Sequence, residues 1–224
     1  MKTLNELITI RVQKSIDNKG EQEKRGYNNT VVETEAHLME KVNIGIPLRY
    51  KEAEITEEYI EKVSSALKNN KGIYFYGPVG TGKTYLLYGI LRRLRAIGSS
   101  PYHTSLWNVP NTLANLRKAY SDGGGGEEEI DKEIKFNEIL LLDDFGAEKI
   151  TEWNTEIMYR LINYRHENML PTFFASNLSI EELAERSGDR LASRIVESCD
   201  VIKIGGDDRR IKRKQLTAIV NKEL

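Results

Sequence analysis

The sequence predicts an α/β fold, a five-stranded parallel sheet held between two layers of helices. Three observations predict it. Five short apolar runs alternate with longer stretches whose apolar residues recur every three to four positions. The runs at 73–76 and 139–142 are apolar throughout rather than at every second residue, the pattern of strands covered on both faces and paired in parallel. A glycine-rich turn follows the first run directly and precedes a helical stretch.

Residues 1–45 are polar and mixed in charge and form an appendage to the main domain at 46–224. Leu4, Leu7, Ile8 and Val12 have helical spacing, and a second short helix is predicted over 35–42. Between them, Gly20, Gly26, Asn28 and Asn29 mark a linker. The appendage is either a flexible arm or an arm that folds on a partner.

Ile44-Gly45-Ile46-Pro47 ends that pattern. Ile55, Tyr59, Val63 and Leu67 then recur every four residues, with Glu57 and Glu58 placed to suit a helix dipole. The first strand is predicted at 73–76 and the next helix at 85–97, with Gly98 as its C-cap. A strand at 102–107 and a helix through Leu113, Leu116 and Tyr120 follow. Gly123 to Gly126 and the three glutamates after them read as a mobile surface loop. The third strand, 139–142, runs into Asp143 and Asp144. A helix at 153–166, a strand at 172–175, a helix opened by a Ser179/Glu182 capping box and a last strand at 201–204 complete the pattern.

Composition narrows the function. The 224 residues, 39% of them hydrophobic, suffice for one packed domain. The net charge is −1, so contact with nucleic acid requires a local basic patch. The single cysteine, Cys199, excludes an intrachain disulfide and a zinc ribbon and reads as a small core residue. His37, His103 and His166 lack ligand spacing. Glu6 and Arg11 interrupt any signal-peptide core, and no apolar run reaches the length of a membrane span, so a cytoplasmic protein is expected.

Gly77-Pro78-Val79-Gly80-Thr81-Gly82-Lys83-Thr84 matches the phosphate-binding P-loop pattern in its strand–turn–helix context. The glycines let backbone N–H groups turn inward on a phosphate, and the following helix adds its positive end. Lys83 is expected to reach the β- and γ-phosphates, and Thr84 to hold Mg2+. Asp143, at the end of an apolar strand, is the second metal residue. Asp144 either orients and deprotonates the attacking water or caps the next turn. Asn177 closes the neighbouring strand and either positions the water or serves a turn. Arg190 and Arg194 share one helix face. They form a solvated face, with Arg194 paired to Glu197, or complete a neighbour's ATP site. Lys212, Arg213 and Lys214 extend Arg209 and Arg210 into a basic tail.

Together these residues resemble the DnaC/IstB group of AAA+ ATPases, across about residues 44–214. The marks are Ile44 to Tyr50, the P-loop, Leu142-Asp143-Asp144-Phe145-Gly146, Asn177, Asp189 to Ile195, and Gly206 to Arg210. The resemblance implies an AAA+ sandwich with little or no helical lid, binding ATP and Mg2+. It makes Arg194 an arginine finger acting in trans, with Arg190 one turn ahead, and Arg210 a nucleotide contact within the subunit. It places Tyr50 at the adenine, Tyr85 beside the nucleotide and Asn177 in the sensor-1 role. It implies self-association, single-stranded DNA and a DnaB-like replicative helicase met through the N-terminal arm. The arm is shorter than in many such loaders. An IstB-like transposase helper on duplex DNA is the alternative, and a small-molecule kinase or a regulatory ATP-binding module lies further off. Arg117, Lys118 and Tyr120 are candidates for nucleic-acid contact, or else form an exposed amphipathic helix.

Overall fold

In a computed structural model, which describes residues 6–10, 13, 14, 17, 34–98, 103–121 and 126–206, the five apolar runs form one sheet. The strands are β1 (Gly72–Tyr76), β2 (Thr104–Asn108), β3 (Ile139–Phe145), β4 (Thr172–Ser176) and β5 (Cys199–Lys203). Their spatial order is β2-β3-β4-β1-β5, and every neighbouring pair is parallel.

Strand periodicity divides the core in two. Tyr74, Leu140, Leu142 and Phe174 point to one face, while Ile73, Phe75, Leu141 and Phe173 point to the other. The second face is covered by α2 (Glu57–Lys68) and α3 (Lys83–Ile97). The first face is covered by α4 (Val109–Ser121), α5 (Gly126–Phe136), α6 (Glu152–Glu167), α7 (Ile180–Ser187) and α8 (Asp189–Ser198). The result is the expected three-layer sandwich. Gly98 ends α3 at φ 118°, and Ser179 and Glu182 form a reciprocal capping box on α7.

The loop expected at 123–129 is corrected in part. Residues 122–125 lie outside the described residues, but α5 begins at Gly126. Ile130 and Ile134, one turn apart, are buried in the core and hold this helix down. The glycine and glutamate runs obscured that pair. Tyr102 lies outside the described residues, and β5 begins two residues before the expected strand.

Part of the N-terminal arm is seated on the domain. Residues 6–10 are helical, and Ile8 packs with Leu38, Val42 and Ala96, joining α1 (Glu35–Val42) to the end of α3. Two buried arginines of α3 reinforce this seat. Arg95 donates to the carbonyls of Val42 (3.2 Å) and Ile44 (2.6 Å), and Arg92 donates to Asn43 Oδ1 (3.2 Å) and to the Ala53 carbonyl (2.7 Å). Burial lowers both guanidinium pKa values, that of Arg95 to about 10. All four residues that mark the linker, and everything after 206, lie outside the described residues.

Candidate active site

The site lies at the carboxyl ends of β1, β3 and β4, where parallel α/β sheets place their ligands. Beyond β1 the loop turns through Gly77, Gly80 and Gly82 at φ 145°, 84° and 99°. These are left-handed values that glycine adopts without strain. At Gly77 space is also limiting, because a Cβ there would lie 2.2 Å from the Ile204 carbonyl oxygen. Thr81 Oγ1 donates to the Pro78 carbonyl at 3.0 Å, bracing the loop. Lys83 opens α3 and is buried under the loop, its Nζ donating to the Gly77 (2.7 Å) and Pro78 (2.8 Å) carbonyls.

Thr84 Oγ1 donates to Asp143 Oδ1 at 3.0 Å, so β3 reaches the first turn of α3. Asp143 is 4% exposed. Burial, with the charge of Asp144 added, pushes its carboxyl up to about 6, against the pull of Thr84 and Lys83. The next residue belongs to the same site because β3 bulges. Leu142 pairs with Phe174 and Phe145 with Ser176, so β3 carries one extra residue. Asp144 takes φ 54° there, and both carboxylates line the pocket instead of opposite faces of the sheet. Asn108, at the end of β2, donates Nδ2 to Asp144 Oδ2 at 2.9 Å.

Beyond β4, Ser176 ties the two strand ends together. Its hydroxyl donates to the Phe145 carbonyl at 2.6 Å and accepts from the Leu178 N–H at 3.1 Å. Tyr74 donates to the Leu178 carbonyl at 3.0 Å from the core side. Asn177 is therefore held on a braced turn and faces the same pocket, which encloses about 400 Å³. On the far side the pocket is lined by Arg49, Tyr50 and Tyr85. Tyr50 stacks on Tyr88 of α3, with ring centroids 4.3 Å apart. Tyr85 donates to the Glu52 carbonyl at 3.1 Å.

The pocket thus brings together Tyr50, Val79, Gly80, Gly82, Lys83 and Thr84 with Tyr85, Asp143, Asp144 and Asn177. Gly77, Pro78 and Thr81 shape its loop from behind. Arg190 and Arg194 do not line it. Arg190 is exposed on α8. Arg194 lies over the Tyr159 ring at 4.9 Å and donates Nε to Asn163 Oδ1 at 2.6 Å. The expected Arg194–Glu197 pair is therefore replaced, and Glu197 lies 3.4 Å from His166 instead. On α4, Arg117 stacks over Trp153 at 5.0 Å and donates to Thr151 Oγ1, while Lys118 and Tyr120 are exposed. Arg210 lies outside the described residues.

Sequence reasoning passed over Asn108, Ser176 and Tyr88. Asn108 had a usable signal, a polar residue ending the strand beside the aspartates. Ser176 and Tyr88 had none, since their partners lie far away in the chain.

The match to the family of IstB-like ATP binding proteins covers residues 51–217. The chain belongs to this IstB-like family. Its P-loop and acidic strand end fit the ATP binding that the family's description names, on a P-loop fold of the AAA+ type. Among relatives of known name, the chain is 30% identical over 184 residues to the replicative helicase loader DnaI of Bacillus subtilis. That alignment covers 76% of this chain and 57% of DnaI. It is 22% identical over 138 residues to the helicase loader DnaC of Escherichia coli, covering 62% and 54%. The chain thus spans little more than half the length of these relatives. A solved DnaI structure matches with a TM-score of 0.59 at 27% identity, over 72% of this chain and 95% of that one. The crystal structure of the DnaC helicase loader matches with a TM-score of 0.59 at 23% identity, over 71% and 100%. The β2-β3-β4-β1-β5 order sets the residue after β4 between the loop and the aspartates. Among the described residues, no helix is long and apolar enough to cross a membrane.

Proposed function

We propose that this chain is a cytoplasmic, Mg2+-dependent ATPase that assembles on single-stranded DNA and loads a replicative helicase. One observation carries the reading. Lys83, Thr84, Asp143, Asp144 and Asn177 meet in one pocket on a chain 30% identical to a helicase loader.

The pocket's own residues suit the reaction. Thr84 and Asp143 offer oxygen ligands at the distance of one hydrogen bond, the donor set a Mg2+ ion takes. Bound there, the ion would neutralise charge on the β- and γ-phosphates. Asp143, buried and repelled by the charge of exposed Asp144 beside it, favours a cation at that point. The loop N–H groups and the start of α3 bind the phosphates. Lys83 leaves its loop carbonyls for the β- and γ-oxygens. Asn177 orients the attacking water, and Asp144 accepts its proton. Tyr50, on its Tyr88 support, holds the adenine, with Tyr85 beside it. Arg194, turned away from its own pocket, acts on the nucleotide of the next subunit with Arg190 beside it. Arg210 reaches the nucleotide in its own subunit.

Lys118 and Tyr120 face solvent and serve the nucleic acid, one as a cation and the other as a stacking surface. Arg117, set by Trp153, joins them. The arm over 1–45 meets the helicase. A transposase helper acting on duplex DNA is the second reading, favoured by the IstB-like family match.

ATP turnover by the full chain, alone, with single-stranded DNA and with duplex, separates the two. Stimulation by single strands, with co-purification of a hexameric helicase, is the expected result. Stimulation by duplex alone replaces the loader with the transposition helper. Lys83→Ala should abolish nucleotide retention. Arg194→Ala should keep ATP binding and lose hydrolysis, and normal hydrolysis in that variant removes the finger.

A further inference from the structure

Arg194 is more restrained than a surface arginine needs to be. Its guanidinium lies 4.9 Å over the ring of Tyr159, and its Nε donates to Asn163 Oδ1 at 2.6 Å. Nη1 reaches back to the Arg190 carbonyl of its own helix at 3.3 Å. The Asn163 amide is itself oriented, because its Nδ2 donates to Glu167 Oε1 at 2.9 Å. That second bond turns the amide oxygen toward Arg194, since a carboxylate can only accept. Tyr159, Asn163 and Glu167 lie at i, i+4 and i+8 on α6 and form one stripe facing α8.

We infer that Asn163 and Tyr159 are positioning residues that hold the Arg194 guanidinium ready for the nucleotide of a second copy of this chain. The inference rests on the trans role proposed for Arg194. An arginine free in solution samples many rotamers, and reaching a phosphate costs it that freedom. Here the plane is set by the ring below and by the Nε bond at one edge. Among the described residues, Nη2 donates to no protein acceptor, and it is the nitrogen left for a phosphate oxygen. Neither Asn163 nor Tyr159 lines the pocket of its own subunit, so neither acts on the ATP bound there.

Subunit mixing tests this. Lys83→Ala subunits bind no ATP but present Arg194, whereas Arg194→Ala subunits bind ATP but present no finger. Mixed together, they should recover part of the hydrolysis that each lacks alone. If they recover none while each still self-associates, the trans role of Arg194 itself falls. If they do recover it, Asn163→Ala placed in the Lys83→Ala subunit should cut the recovered kcat on the order of tenfold. The KM for ATP should not change, because the ATP-binding subunit is untouched. The same substitution placed in the Arg194→Ala subunit has no finger to misplace and should not lower that kcat further. Tyr159→Leu should follow the same pattern. Equal losses from both placements would reveal a general packing defect and overturn the inference, as would full recovery with Asn163→Ala in the Lys83→Ala subunit.

Discussion

Replacing Asp143 by Asn should stabilise the protein stripped of nucleotide and divalent cations while removing the proposed ATPase activity. Asp143 is 4% exposed, and burial with the neighbouring Asp144 charge pushes its carboxyl up to about 6 from an ordinary 3.8. A rise of about two pH units corresponds to about 3 kcal/mol. The unfolded carboxyl titrates near pH 4 and the folded one near pH 6. Between those values the folded chain holds the extra proton, so stability is full below the window and falls as pH rises through it. At neutral pH the whole cost of burying the charge is present. Asn has nearly the same shape, keeps an oxygen for the Thr84 hydroxyl, and has no charge to bury. Thermal unfolding in EDTA, followed by circular dichroism from pH 4 to 7.5, reads the difference. At pH 7.5 the variant should exceed the wild type by about 3 kcal/mol, or roughly 6–12 °C in Tm for a chain of this length. The gap should shrink as pH falls from about 6 and approach closure toward about pH 4. A variant that melts at or below the wild type at pH 7.5 would refute the reasoning.

Other perturbations have equally definite outcomes. Gly77→Ala combines φ 145° with a Cβ 2.2 Å from the Ile204 carbonyl oxygen, so the loop must shift. It should lose ATP binding by calorimetry and at least about 1–3 kcal/mol of stability. Arg165, 2% exposed, donates to the carbonyls of Asn137, Glu138 and Pro171 and to Thr172 Oγ1. Arg165→Leu removes the donor that the Asn137 and Glu138 carbonyls and Thr172 Oγ1 share, at about 1–3 kcal/mol each, while Pro171 keeps the Leu140 N–H, and urea unfolding should show a loss of several kcal/mol. Leu38→Ala opens the cluster that seats the N-terminal helix. Amide exchange should quicken in residues 6–10 and α1 by an amount equivalent to about 2–5 kcal/mol, leaving β1, β3 and β4 protected. Equal loosening of the sheet would show that this cluster belongs to the main core.

Within the described residues, much of the fold was legible in the sequence because strands and helices are specified by neighbours. The apolar runs became β1 to β5 and the helical spacings became α1 to α4 and α6, while the stretch opened by the Ser179 capping box is broken at Gly188 into α7 and α8. Helix α5 escaped because Gly126 and its glutamates outweighed Ile130 and Ile134, two residues whose burial is a tertiary fact. The phosphate loop and the two aspartates were legible because each is a contiguous pattern with a chemical reason.

Only tertiary structure decided how those pieces meet. The strand order inserts β4 between β1 and β3, which brings Asn177 to the pocket. The bulge in β3 turns Asp144 to the same side as Asp143, against the alternation a strand would otherwise impose. The Tyr74 bond to Leu178 spans 104 residues, and the Arg194 bond to Asn163 spans 31. Hydrophobic periodicity tells which face of an element is buried, not which element covers it. Partners that distant are chosen by packing two layers onto one sheet, and that choice exists only once the whole chain has closed on its core.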